Sequence, residues 1–64
     1  MNPKTVLFLR HSGGTATSLI DHLLDALRQG RREHAREYAR HIILTTIDLP
    51  KSMVDDIYRC AIAR

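Results

Sequence analysis

Apolar residues along the chain fall into groups separated by polar or glycine-containing breaks. The first group, Thr5–Arg10 (TVLFLR), runs β-branched, leucine and aromatic side chains together without helical spacing, which predicts a short strand. Gly13-Gly14 follows as a turn signal. From there Ala16, Leu19, Ile20, Leu23, Leu24 and Leu27 recur at steps of three and four, the pattern of one buried helical stripe. Thr15 or Ser18 is the expected capping residue, since Ser18 precedes Asp21 by three positions as in a reciprocal capping box. Gly30 supplies a C-terminal stop. These signals predict a helix over 15–29.

A second helix is predicted over 31–45, with Ala35, Tyr38, Ala39, Ile42 and Ile43 on its apolar face. The alanines allow a close approach to the first helix, and short connections make the two antiparallel neighbours. Within this segment IILTTI, residues 42–47, also has strand character, because β-branched side chains lose rotamer freedom in helices. Asp48-Leu49-Pro50 then breaks the chain, since the residue before a proline is pushed out of helical geometry while proline suits a first helical turn. A third helix over 50–63 carries Met53, Val54, Ile57, Tyr58, Ala61 and Ile62 inward. Asp55 and Asp56 lie near its positive end, and Arg59 and Arg64 near its negative end. The expected fold is therefore mainly α: a small three-helix bundle with an N-terminal strand at 5–10. The alternative is an α+β fold with 42–47 as a second strand. Residues 1–64 are expected to form one domain.

Composition narrows the function classes. With 44% hydrophobic and 27% charged residues, the chain has enough apolar content to fold. A core built from so few residues supplies only about 3–5 kcal/mol without a disulfide, a metal or a partner. The single cysteine, Cys60, forms no internal disulfide, so an intracellular, cytoplasmic setting is expected. Val6–Leu9 is too short for a membrane span or a signal-peptide core. The small core points instead to self-association or to a macromolecular partner, with no membrane and no small-molecule substrate expected.

The opening stretch VLFLRH resembles the first strand and Arg-His of the histidine phosphatase family, whose motif is Arg-His-Gly. Ser12 stands where that family has its glycine. The resemblance implies that Arg10 would hold a phosphate and that His11 would be phosphorylated. Such chemistry also needs further cationic groups and an acid or base on a rigid scaffold, and this chain has no room for that scaffold. Arg10 and His11 are therefore read as a strand end turning into a helix, and no catalytic residue and no enzyme activity are expected. Ser12, Gly13, Gly14 and Thr15 are candidates for generic anion contact, because a helix start offers free backbone N–H groups. The stretch lacks the Lys-Ser/Thr ending of a nucleotide-binding loop. The histidines and Cys60 are scattered without ligand spacing, so no metal and no cofactor are expected, and Cys60 reads as a small buried hydrophobe.

The strongest candidate surface is basic. Net charge is +3, and Arg28, Arg31, Arg32, Arg36 and Arg40 crowd into one segment. Arg32, Arg36 and Arg40 lie at i, i+4 and i+8, which makes a ridge down one side of the second helix. Arginine suits bidentate contact with carboxylate or phosphate, while Glu33 and Glu37 dilute the field. Farther along, TTIDLPKSMVDDI resembles the strand and first helix of ribbon–helix–helix DNA-binding proteins. That resemblance implies Thr46 and Asp48, or Thr45 and Ile47, as groove-facing positions, although an acidic Asp48 does not suit a phosphate-lined groove. The expected function is a non-catalytic regulatory or inhibitory interaction module, acting as an oligomer through apolar helix faces and the arginine ridge. The alternative is a DNA- or RNA-binding regulator of ribbon–helix–helix type.

Overall fold

Asn2 and Pro3 turn the first apolar run into a helix. In a computed structural model of the protein, which describes residues 1–63, α1 spans Pro3–Arg10. The Asn2 carboxamide oxygen accepts the Lys4 N–H at 2.9 Å, and Pro3 occupies the start of the helix, where its missing N–H costs nothing. The predicted strand at 5–10 is thereby overturned. Among the described residues there is no strand for it to pair with, and an unpaired extended segment would leave its backbone groups unsatisfied. As a helix, the segment brings Thr5 and Leu9, four residues apart, into the interior together.

The first two helices are joined by a polar clip. Helix α2 spans Gly14–Gln29 and starts from Gly13, whose φ of 76° needs a residue without a β-carbon. Neither Thr15 nor Ser18 caps it; the Ser18 hydroxyl turns back to the Gly14 carbonyl at 3.4 Å. Thr17 takes the linking role instead. Its hydroxyl oxygen accepts the Gly13 N–H at 2.8 Å and lies 3.2 Å and 3.3 Å from the carbonyls of Leu9 and Arg10. The end of α1 is thus fastened to the first turn of α2. At the far end, Gly30 adopts φ 73°. The Arg31 N–H reaches the Ala26 carbonyl at 2.9 Å and the Gly30 N–H reaches Leu27 at 3.2 Å, which closes the helix as a Schellman turn.

Helix α3, Arg32–Thr45, runs antiparallel to α2 as the short connection requires. Its buried residues are Ala35, Ala39 and Ile42, so the two helices meet across alanines. Across the same seam the His22 and Tyr38 rings stack with centroids 5.6 Å apart. The α+β alternative for 42–47 does not hold. Ile42 continues the buried stripe of Ala35 and Ala39, and that tertiary packing outweighs β propensity through Thr45. The chain becomes extended only at Thr46.

The predicted third helix is observed as α4, Lys51–Ile57, which widens into a π-helical turn over Tyr58–Ile62. Among the described residues, four helices rather than three therefore share one core, formed by Leu9, Ala16, Ile20, Leu23, Ala26, Ala35, Ala39, Ile42, Ile57 and Ala61. Among them, Leu9, Ile20, Leu23, Ile42 and Ile57 are the largest fully buried side chains. Tyr58 is a second correction: expected inside, it is half exposed. No helix among the described residues is long and apolar enough to cross a membrane.

Candidate interaction surface

The arginine ridge ends on a leucine. Arg32, Arg36 and Arg40 stand at four-residue steps on α3, and Leu44 is the next step. All four are exposed, with Leu44 83% accessible. This position falls off the buried stripe of Ala35, Ala39 and Ile42, so the interior does not use it. Leu44 instead lines a groove of about 450 Å³ between α3 and the C-terminal helix, together with Arg40, Ile43, Val54, Tyr58 and Ile62. Ile47, also 83% accessible, follows in the turn after α3. Leu44 and Ile47 were not among the residues expected to form a contact surface. The signal that points to Leu44 is the i, i+4 ladder itself, extended one step beyond its last arginine.

The five arginines are not equivalent. Arg28 donates to Asp25 at 2.7 Å, and Gln29 donates to the other oxygen of that carboxylate at 3.0 Å. The Arg28 hydrogen bond is the main reason the Asp25 carboxyl is held below its ordinary range. Arg28 is therefore committed to its own helix. Arg31, Arg32, Arg36 and Arg40 are exposed and form no ion pair among the described residues. Glu33 and Glu37 lie on the same helix and likewise form no ion pair among the described residues. Arg36, Arg40, Glu33, Glu37 and His34 together border a shallow polar depression. Guanidinium groups in this state are available to carboxylates or phosphates of another molecule.

Around the opening motif the geometry offers less. Arg10 pairs with Asp21 at 3.1 Å, so its guanidinium is engaged, and the strand that the histidine phosphatase resemblance needs is helix α1. His11 closes α1 through its backbone N–H, which reaches the Leu7 and Phe8 carbonyls at 3.2 Å. Of the anion-contact candidates, Ser12 bonds to the Leu9 carbonyl through both its N–H and its hydroxyl, and the Gly13 N–H is taken by Thr17. Gly14 and Thr15 retain the unpaired N–H groups of a helix start. Cys60 is half-buried and donates to Asp56 at 3.6 Å. It borders a small cleft of about 230 Å³ that Arg31 and Arg32 also line. The described residues bring no three His, Cys, Asp or Glu side chains together in a metal-binding cluster.

The ribbon–helix–helix resemblance also loses its reading element, because no strand is present among the described residues and Thr45 ends a helix. No family model matches the chain, and no curated protein or solved structure matches it either.

Proposed function

We propose that the protein is a small, non-catalytic regulatory or inhibitory interaction module of the cytoplasm. It works through the outer face of α3 and the C-terminal helix. The apolar groove around Leu44 supplies self-association, and the unpaired arginines Arg31, Arg32 and Arg36 engage an acidic surface on a partner protein. The observation that carries this reading is the continuity of the two features: an arginine ladder leads directly into an exposed leucine beside an apolar groove. Interfaces combine the same elements, with apolar anchors giving affinity and charged rims giving orientation. The small core supports it as well, since five large buried side chains leave little stability to spare in an isolated chain.

Affinity capture from a lysate of the source organism, with and without nuclease, tests the reading. Captured protein that survives nuclease treatment and is lost with Arg32→Ala/Arg36→Ala supports it. Protein recognition through apolar anchors also persists at moderate salt. Capture that vanishes with nuclease and collapses between low and moderate salt, as binding through several phosphate contacts does, replaces it with the nucleic-acid reading.

A further inference from the structure

The cleft beside Gly30 joins an apolar lining to positive charge. Its lining residues come from the end of α2, the start of α3 and the π-helical turn of the C-terminal helix, and it holds about 230 Å³. Ala26, Ala35 and Ala61 line it as buried residues, Leu27 and Cys60 as half-buried ones. Small side chains on all three elements leave the space unfilled, and a β-carbon at Gly30 would have no neighbour within 4 Å.

Among the described residues, the charged ones that line the cleft are Arg31 and Arg32, both exposed and neither in an ion pair. Helix α3 begins here without a side-chain cap, so its free N–H groups add to the same positive potential. Asp25 is taken up by Arg28 and Gln29, and Asp56 by Asn2 and Cys60. Neither lines the cleft. Glu33 follows Arg32 on α3 and also stands outside the lining, so it weakens the field without closing the site.

We infer that this cleft seats one apolar side chain of an acidic segment of a partner protein, with flanking carboxylates on Arg31 and Arg32. Three observations choose that occupant. At about 230 Å³ the cleft falls below the roughly 300–1,000 Å³ of small-molecule pockets, which suits a single side chain. The basic residues continue outside it, through Arg36 and Arg40 at four-residue steps, which suits an extended anionic chain. Among the described residues no aromatic side chain lines it, so it offers a nucleobase no stacking face. An apolar anchor within a charged rim is instead the pattern of protein recognition. This inference rests on the acidic-partner reading given under Proposed function, and adds the anchor and its seat.

Nuclear magnetic resonance titration of the isotope-labelled chain at low salt tests it with three probes. They are a blocked acidic octapeptide with one central leucine, the same peptide with serine for leucine, and octathymidylate. The leucine peptide is expected to bind with a Kd below about 1 mM and to shift the amides of Ala26, Gly30, Ala35 and Ala61. It should bind about tenfold more tightly than the serine peptide, the effect of partly burying one leucine. Arg31→Glu combined with Arg32→Glu weakens binding about five- to tenfold, as two exposed ion pairs become repulsions. The fold is kept, because acidic residues suit a helix start. Cys60→Leu narrows the cleft and removes the preference for leucine, while Cys60→Ser, close to the thiol in size, retains it. Should Cys60→Leu fail to fold, the amide shifts and the serine peptide decide the matter in the wild type. Shifts centred elsewhere, equal affinity for the two peptides, or a preference that survives Cys60→Leu overturns the inference and leaves the acidic-partner reading standing. Failure of both peptides to bind at about 1 mM also overturns it, and capture from lysate then decides that reading. Tighter binding of octathymidylate than of either peptide overturns both.

Discussion

Asp56 accepts the backbone N–H of Asn2 at 3.0 Å, across 54 positions of sequence. Asn2 in turn caps α1 through its side chain, so the C-terminal helix holds the helix that the first apolar run was not expected to form. The second Asp56 oxygen accepts the Cys60 thiol at 3.6 Å. Asp56→Ala removes this acceptor, and because Asn2 is exposed its N–H turns to water instead. The expected loss is about 0.5–1.5 kcal/mol, the usual net worth of one hydrogen bond. Urea unfolding measures the loss, and amide exchange locates it: α1 should open before α2 and α3. Equal protection of all helices in the variant would show that α1 is held by packing alone.

The same carboxylate makes stability depend on pH. Burial pushes the Asp56 carboxyl up, but hydrogen bonds from the Thr5 hydroxyl, the Asn2 N–H and the Cys60 thiol outweigh it, so its pKa lies below the ordinary value of 3.8. A carboxyl depressed in the folded state binds more protons when unfolded, so stability rises with pH through this range. The contribution is therefore complete above about pH 4 and is lost as pH falls through the folded value. Asp25 acts in the same direction. Subtracting the acid titration of Asp56→Asn from that of the wild type isolates the Asp56 part. If the two melting curves run parallel below pH 4, roughly the unperturbed carboxylate range, Asp56 contributes nothing.

Leu23 is fully buried at the centre of α2, in a core with few large side chains. Leu23→Ala should cost about 2–5 kcal/mol as a large-to-small core change, which unfolds much of so small a protein. A loss below about 0.5 kcal/mol, the scale of a surface change, would place Leu23 outside the interior.

What could be read from residue order and what could not follow from the range of the interactions involved. The 15–29 helix was legible because six apolar positions repeat at one period and Gly30 ends them, all within local reach. The 31–45 helix is legible for the same reason, although the β-branched Ile42 and Ile43 favour a strand; burial of Ile42 in line with Ala35 and Ala39 decides for the helix. Residues 5–10 read as a strand because five of the six are apolar or β-branched, while the signals that make them a helix, the Asn2 cap and Pro3 at its first turn, lie just ahead of the run. Thr17 was passed over because its clip depends on where α1 ends. At the surface, the ladder of Arg32, Arg36 and Arg40 was visible in the spacing. The groove at its foot was not, because Val54, Tyr58 and Ile62 come from a helix whose phase shifts in the π-helical turn.

Two turn residues separate conformational cost from contact. Gly30 has φ 73° and open space where a β-carbon would stand, so Gly30→Ala meets no clash and should cost only the left-handed penalty, about 1–2 kcal/mol. Asp48 already occupies that region as a non-glycine residue, at φ 60°. Asp48→Gly should therefore leave stability within about 1 kcal/mol, relief of strain being offset by the freer unfolded chain. Chemical denaturation of both variants at a concentration where the wild type is monomeric gives the comparison. Equal losses at the two sites would mean that Asp48 makes a stabilising contact beyond its backbone conformation.

Replacing Arg32, Arg36 and Arg40 together by alanine tests whether the ridge serves binding or folding. None of the three is buried or ion-paired among the described residues. Exposed charges contribute about 0–1 kcal/mol per pair where pairs exist, and alanine is the better helix former. The triple variant should therefore unfold within about 0.5 kcal/mol of the wild type per site, the range of surface substitutions. The melts must be run where neither protein dimerises, because association raises apparent stability by mass action. Under those conditions the variant is expected to keep its fold and to lose its partner protein. Cooperative unfolding lost at neutral pH in the triple variant would show that the guanidinium stems pack on the core and that α3 depends on them for its place in the bundle.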